Sequence, residues 1–186
     1  HLFPAEALGV ELIRRGYRVR LVTDERALRY SGLFRKDMID VVKSETARGR
    51  NPFQLAYAGL TLAAGTLSAY ALIKRLKPVA VVGFGGYPTV PPLMASTAMG
   101  VPTLIHEQNA VMGRANKALA AKVQAIAGGF LPESGGPYAD KTVTTGNPVR
   151  PAVLAASNVP YRPSRGGDPF RRIAWRASAR NCSSTS

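Results

Sequence analysis

Short runs of β-branched and small apolar residues alternate along this chain with longer segments whose apolar positions recur at helical spacing. Pro4 to Arg15 predicts a helix with Leu8, Val10, Leu12 and Ile13 on a broad apolar face. Pro4 suits a first turn, Arg14-Arg15 a last turn, and Gly16 the position just past the end. Arg18 to Thr23 alternates as a strand, and Asp24 to Gly32 reads as a turn with a short helical piece. Met38 to Val42 is a second strand, followed by a basic loop at Arg48-Gly49-Arg50. Asn51-Pro52 opens a long helix that runs to Lys77 and stops at Pro78, with Asn as a good N-cap and Pro as a good first residue. The uncharged run from Val79 then ends in Gly83, Gly85 and Gly86. A helix over Pro91–Met99, a strand over Val101–Ile105, a helix over Gly113–Lys122, a strand over Val123–Ala127 and a short strand at Val143–Thr145 follow, with a last short helix to Ala156. Strands alternating with helices call for an α/β domain built on a parallel sheet with right-handed crossovers. Ser157 to Pro169 is a polar linker, and Arg171 to Ser186 has no apolar period, so this tail is expected to be disordered in isolation.

Composition changes this picture in three places. Hydrophobic residues make up 46% of the 186, enough for the core of one domain or one domain plus a piece of another. The net charge is +14, of which +5 lies from Tyr161 onward, leaving +9 on the body. Such a surface attracts nucleic acid, acidic lipid or phosphorylated small molecules. No RNP, zinc-finger or helix-turn-helix pattern is present, so nucleic acid is not an expected partner. The single cysteine, Cys182, excludes an intrachain disulfide framework. From Phe53 to Ile73 there are 21 residues without a charge, the length of a membrane span. Gln54, Thr61, Thr66 and Ser68 make the run only mildly apolar, and its neighbours pattern as an α/β sheet, which argues against spanning. A buried crossover helix and a helix lying on a membrane surface both remain open.

Candidate chemistry gathers at the strand ends. Glycines at the carboxyl edge of a parallel sheet let the main chain take φ > 0 and let an anion approach the N–H groups. A dinucleotide fingerprint would need glycine three places after Gly85, where Pro88 stands. His106-Glu107-Gln108-Asn109 places an imidazole, a carboxylate and two amides at the end of the next strand. Such a polar cluster needs partners or a ligand, and each residue taken singly reads equally well as a hydrogen-bonded loop anchor. His106 has no second histidine or cysteine at metal-ligand spacing, so no metal is expected. His1 stands at the amino end of the first helix, where the dipole favours a neutral imidazole and hence a general base, unless it is only a loose terminal residue. Arg150 closes Gly-Asn-Pro-Val-Arg and is either a phosphate clamp or a solvated side chain.

Taken together, HLFPAEALGVELIRRG, VVGFGGYPTVPP, PTLIHEQNAVMGRANK and TTGNPVR, in this order and spacing, resemble the N-terminal half of the peptidoglycan-synthesising transferases of glycosyltransferase family 28. The resemblance covers residues 1–156, and it is specific as a set rather than motif by motif. It implies a GT-B N-terminal, Rossmann-like domain with helices on both faces of the sheet, here without its first strand. It implies inverting transfer of GlcNAc from UDP-GlcNAc, the donor substrate, with no bound cofactor, to the muramyl-pentapeptide carried on an undecaprenyl diphosphate. By the same resemblance His1 matches the histidine that ends the family's first glycine loop and is the candidate base. Gly83, Gly85, Gly86 and Tyr87 match the loop facing the acceptor diphosphate, with Glu107 lining the same cleft. Asn109 and Arg150 match positions that contact the nucleotide sugar. The long uncharged helix with its basic flanks implies peripheral attachment to anionic lipid on the cytoplasmic face of the inner membrane.

Two departures stand out. The first strand and the C-terminal donor domain are expected to be missing, which predicts that this chain alone is inactive. Where the family continues into a strand and a Gly-Gly-Ser-Gln-Gly turn, this chain reads Arg171 to Arg180. Codons for Trp175-Arg176-Ala177-Ser178 can give Gly-Gly-x-Gln out of register, so a frameshifted tail is the expectation for 157–186. The alternatives are a non-enzymatic lipid-binding module on a membrane surface, and a family 28 transferase acting on another lipid such as diacylglycerol.

Overall fold

The computed structural model of the chain describes residues 1–25, 32, 34–42, 51–132 and 136–157. The expected helical piece before Gly32, the basic loop at Arg48–Arg50 and the tail from residue 158 onward lie outside the described residues. His1–Pro151 forms one compact unit and Ala152–Ser186 a second. Of the second, the described part is the remainder of helix α5 (Pro151–Ser157).

Helix α1 (Leu2–Arg14) leads to strand β1 (Leu21–Thr23), which pairs in parallel with β2 (Ile39–Val41). The helix α2 (Pro52–Leu76) follows, and the Asn51 side chain accepts a hydrogen bond from the Phe53 N–H at 3.0 Å, as an N-cap should. Lys77, just past its end, takes φ 46°, and Pro78 cannot continue the helix. Strand β3 (Val81–Gly83), helix α3 (Val90–Ala98), strand β4 (Thr103–Glu107), helix α4 (Arg114–Leu119), strand β5 (Ala125–Gly128) and strand β6 (Thr142–Thr144) complete the unit. All neighbours in the order β3-β4-β5-β6 are parallel. The α/β class and the alternation expected from the sequence are both present.

Two details differ from the expectation. Among the described residues the six strands form two parallel sheets, not one, and neither β1 nor β3 has a second hydrogen-bonded neighbour. Strand β4 also runs two residues further than its apolar stretch. His106 and Glu107 stay in the ladder opposite Ala127 and Gly128, and the Glu107 carbonyl accepts from the Gly129 N–H at 2.7 Å. Backbone pairing, not side-chain polarity, decides where this strand ends.

The core has two parts. Leu93 from α3, Leu119 from α4, and Ala120 and Val123 just beyond it pack onto Ile105 and Ile126 of β4 and β5. Ala69, Leu72 and Ile73 of α2 pack with Ala95 of α3 and Val42 beyond β2. The opposite side of α2 stays open. Phe53, Tyr57, Leu60, Leu67 and Tyr70 recur at helical spacing, and all are exposed, Phe53 to 85%. An 18-residue stretch of the helix has a mean hydropathy of 1.4, long and apolar enough to cross a membrane by length and composition, yet the helix buries one face in the domain.

Leu93 ties the core to the glycine segment, because a Cβ at Gly83 would press on its two methyls. We expect Leu93→Ala to lower stability by about 2–5 kcal/mol, through lost transfer energy and the cavity left beneath β3. Urea unfolding followed by circular dichroism checks this, with the midpoint falling and the slope unchanged.

Candidate functional site

The carboxyl ends of β3, β4, β5 and β6 carry the loops Phe84–Gly86, Gln108–Asn109, Gly129 and Gly146–Asn147. This is the edge where open parallel sheets bind ligands. Gly85 and Gly86 take φ of 86° and 76°, a region that side-chain-bearing residues avoid. The Gly85 carbonyl accepts from the Thr89 hydroxyl at 2.6 Å, which braces the turn from inside. A Cβ at Gly85 would sit 3.3 Å from the His1 ring and 3.2 Å from the Asn116 amide nitrogen, and one at Gly86 would sit 3.5 Å from the ring. The His1 side chain therefore lies directly against the glycine turn. The amino end of α1, which follows it, has no side-chain cap and no acidic residue in its first turn.

Glu107 is only 1% exposed and holds the second loop together. One carboxylate oxygen accepts from the Asn109 N–H at 3.0 Å and from Asn109 Nδ2 at 2.9 Å. The other accepts from the Gly113 N–H at 2.9 Å and from Asn116 Nδ2 at 2.9 Å. Burial pushes this carboxyl up, but the Gly113, Asn116 and Asn109 donors outweigh it and hold Glu107 below the ordinary carboxylate range. Asn116 Nδ2 also donates to the His106 carbonyl at 3.2 Å. Asn116, linked to Asn109 through the Glu107 carboxylate, also lies close to the Gly85 turn.

On the other side of the strand end, Gln108 Oε1 lies 2.8 Å from His1 Nδ1. Its Nε2 lies 3.0 Å from His106 Nδ1, 3.2 Å from the Phe84 carbonyl and 3.1 Å from the His106 carbonyl. His106 Nε2 is 3.0 Å from the Gly146 carbonyl, and Asn147 Nδ2 donates to the Gln108 carbonyl at 3.2 Å. The His106 ring is also 5.5 Å from that of Phe84.

A family model described as the glycosyltransferase family 28 N-terminal domain matches residues 1–128. This chain belongs to glycosyltransferase family 28. It is 71% identical to the UDP-N-acetylglucosamine--N-acetylmuramyl-(pentapeptide) pyrophosphoryl-undecaprenol N-acetylglucosamine transferase of Bradyrhizobium diazoefficiens, over 93% of this chain and 48% of that protein. The protein of the same name from Rhizobium leguminosarum bv. trifolii is 62% identical over 96% of this chain and 48% of its own length. The crystal structure of Acinetobacter baumannii MurG superposes with a TM-score of 0.61 at 30% identity, covering 78% of this chain and 42% of that one. The chain spans about half the length of the curated relatives it matches. Similarity over 93–96% of the chain also runs well past residue 156, where the motifs alone had placed its end.

Within this family 28 domain the residues singled out in the sequence do not all stand alike. His1 lies against Gly85 and Gly86, while Asn109 is tied to Glu107 in the neighbouring loop. Tyr87, 40% exposed, begins the 3₁₀ turn that leaves the glycine loop. Gly83 is buried under Thr89 and Leu93, so its missing side chain serves packing, not ligand approach. Glu107 is turned inward, and its oxygens are occupied by the protein's own donors instead of being presented to a cleft. The Arg150 guanidinium lies 4.0 Å from the Phe3 ring centroid, a cation–π contact that parks it beside the start of α1. Gln108 and Asn116, outside the site residues that the sequence motifs point to, carry most of the connections. The signal for Asn116 was there: it shares a helix face with Leu119 and Ala120, both buried.

Glu107→Gln replaces one acceptor oxygen by an amide that faces donors. We expect it to cost about 2–3 kcal/mol, in keeping with charge-assisted hydrogen bonds in a buried site. The pH dependence follows from the lowered carboxyl. The stability Glu107 supplies is fully present above the ordinary value of 4.5 and is lost as pH falls through its lower folded value. Urea titrations from neutral to acid pH should show the wild type losing this advantage while the Gln variant changes less.

Proposed function

We propose that this chain is the acceptor-side half of an inverting transferase that moves GlcNAc from UDP-GlcNAc to the muramyl sugar of a polyprenyl-diphosphate lipid. The observation that carries this is the packing of the His1 ring on the Gly85–Gly86 turn. A candidate base and a backbone cradle for an anion then share one crevice. In this reading the diphosphate rests against the glycine turn near Tyr87 and the uncapped amino end of α1. The acceptor hydroxyl lies at His1, which takes its proton as the sugar transfers. Asn109 is held by its amide nitrogen on Glu107, leaving its Oδ1 for the nucleotide sugar. Arg150 leaves the Phe3 ring to meet a donor phosphate, a move that trades a cation–π contact for a charge-assisted one. Glu107 acts by holding the loop. The names carried by the relatives support the substrate pair, and their extra length supports a second, donor-side domain.

The exposed apolar stripe of α2 fits a helix lying on the cytoplasmic leaflet, with Lys74 and Lys77 near its end facing anionic headgroups while Arg75 pairs with Asp40. Each such cation near an anionic surface adds about 1 kcal/mol of attraction. The same stripe favours a second reading, a lipid-binding module without catalysis.

Joining residues 1–157 to the C-terminal half of the Bradyrhizobium relative tests the assignment. The chimera should glycosylate a lipid-linked muramyl acceptor, the chain alone should not, and His1→Ala should lower kcat by roughly 10²–10⁴-fold. A folded chimera that binds UDP-GlcNAc but never turns over, while still binding vesicles, moves the conclusion to the non-enzymatic module. In vesicle sedimentation with and without anionic lipid, Phe53→Glu with Leu60→Glu should abolish binding. Unchanged binding by that pair removes the membrane role of α2.

A further inference from the structure

The geometry points to Gln108 as the positioning residue that decides which nitrogen of His1 is free to take a proton. The inference rests on the proposed base role of His1, and the hydrogen bonds fix it step by step. The Gly146 carbonyl can only accept, so His106 Nε2, 3.0 Å away, carries its proton. His106 Nδ1 is then the lone-pair nitrogen and must receive a hydrogen bond from Gln108 at 3.0 Å. The group of Gln108 at that point is also within 3.2 Å of the Phe84 carbonyl and 3.1 Å of the His106 carbonyl. Three acceptors around one atom require it to be the amide nitrogen, which settles the orientation of the Gln108 amide. Its oxygen therefore faces His1 Nδ1 at 2.8 Å and can only accept, so His1 is protonated at Nδ1. The lone pair of His1 is left on Nε2, which no protein group binds among the described hydrogen bonds.

This matters because a neutral imidazole left to itself favours the Nε2–H form, in which the nitrogen away from the backbone already holds a proton and cannot act as a base. An acceptor at Nδ1 reverses that preference, and a second-sphere partner of this kind also fixes the ring's orientation. Here the acceptor is a neutral amide, anchored to the ends of β3 and β4 and, through His106, to the loop after β6. Balance is simple. The acceptor hydroxyl gives its proton to His1 Nε2 as its oxygen forms the new glycosidic bond, the donor's bond to the diphosphate breaks with its electrons, and the imidazolium keeps its Nδ1–H on Gln108.

The chain contains two histidines, His1 and His106, so its imidazole spectrum is simple. Long-range ¹H–¹⁵N spectra of the whole chain labelled at histidine, above about pH 8 where imidazole is ordinarily neutral, read both tautomers directly. We expect opposite signatures, Nε2–H for His106 and Nδ1–H for His1. An Nε2–H or averaged signature for His1 in the unaltered protein overturns the inference, so the test does not depend on any variant folding. In Gln108→Ala, His1 should revert to Nε2–H, and a His1 that keeps Nδ1–H overturns the inference as well. In the two-domain chimera the same substitution should lower kcat roughly ten- to a hundredfold with the KM for UDP-GlcNAc unchanged. A His1→Ala chimera working at full rate removes the base role itself, while the tautomer signatures still decide the part played by Gln108.

Discussion

A carboxylate sealed inside a protein has to be met by donors or it will not stay charged. Among the described residues Glu107 meets that requirement with no cation, through two contacts from Asn109, one from the backbone of Gly113 and one from Asn116. Those donors come from the end of β4, from the loop and from α4, so satisfying one side chain fixes the relative position of all three. Asn116 carries the constraint onward to the His106 carbonyl and to the underside of the Gly85 turn. The Glu107 charge therefore serves architecture, and the groups around the glycine turn are neutral amides, an imidazole and bare backbone.

Strand alternation then divides the labour. Side chains two apart share a face and adjacent ones do not. His106 and Gln108 meet each other on one side, while Glu107 points to the other and grips the loop. Four consecutive polar residues are thus two separate systems, one that builds the loop and one that reaches across to His1. The extension of β4 through His106 and Glu107 makes this possible, because a residue in a loop would lose the alternation.

Much of this was legible in the sequence because it is local. Helix α2 carries its own N-cap and its own stop, and β3 announces itself by a Val-rich run into glycines. The crevice at the strand ends follows from parallel topology alone. What could not be read is what depends on distant partners. Arg150 looks like a phosphate clamp until Phe3, at the opposite end of the domain's sequence, is found under it. Asn116 sits on the buried face of α4, but nothing local to it names Glu107 as its partner. The division of the strands into two sheets is likewise a matter of which edges meet, and no period within a strand encodes that.

The three glycines at the carboxyl end of β3 meet two different demands. At Gly83 the backbone lies where Thr89 and Leu93 leave no volume, so any side chain would push α3 off the sheet. At Gly86 the positive φ is the issue, since the nearest atoms still leave ordinary contact distance for a methyl. Gly85 faces both demands, with φ of 86° and with His1 and Asn116 close on either side. A substitution there would strain the turn and displace the imidazole in one step, whereas one at Gly83 would act through the core. The turn that presents backbone to the crevice and the histidine that lies on it are therefore not independent parts: the glycine backbone is shaped by the same close approach that holds the ring in place.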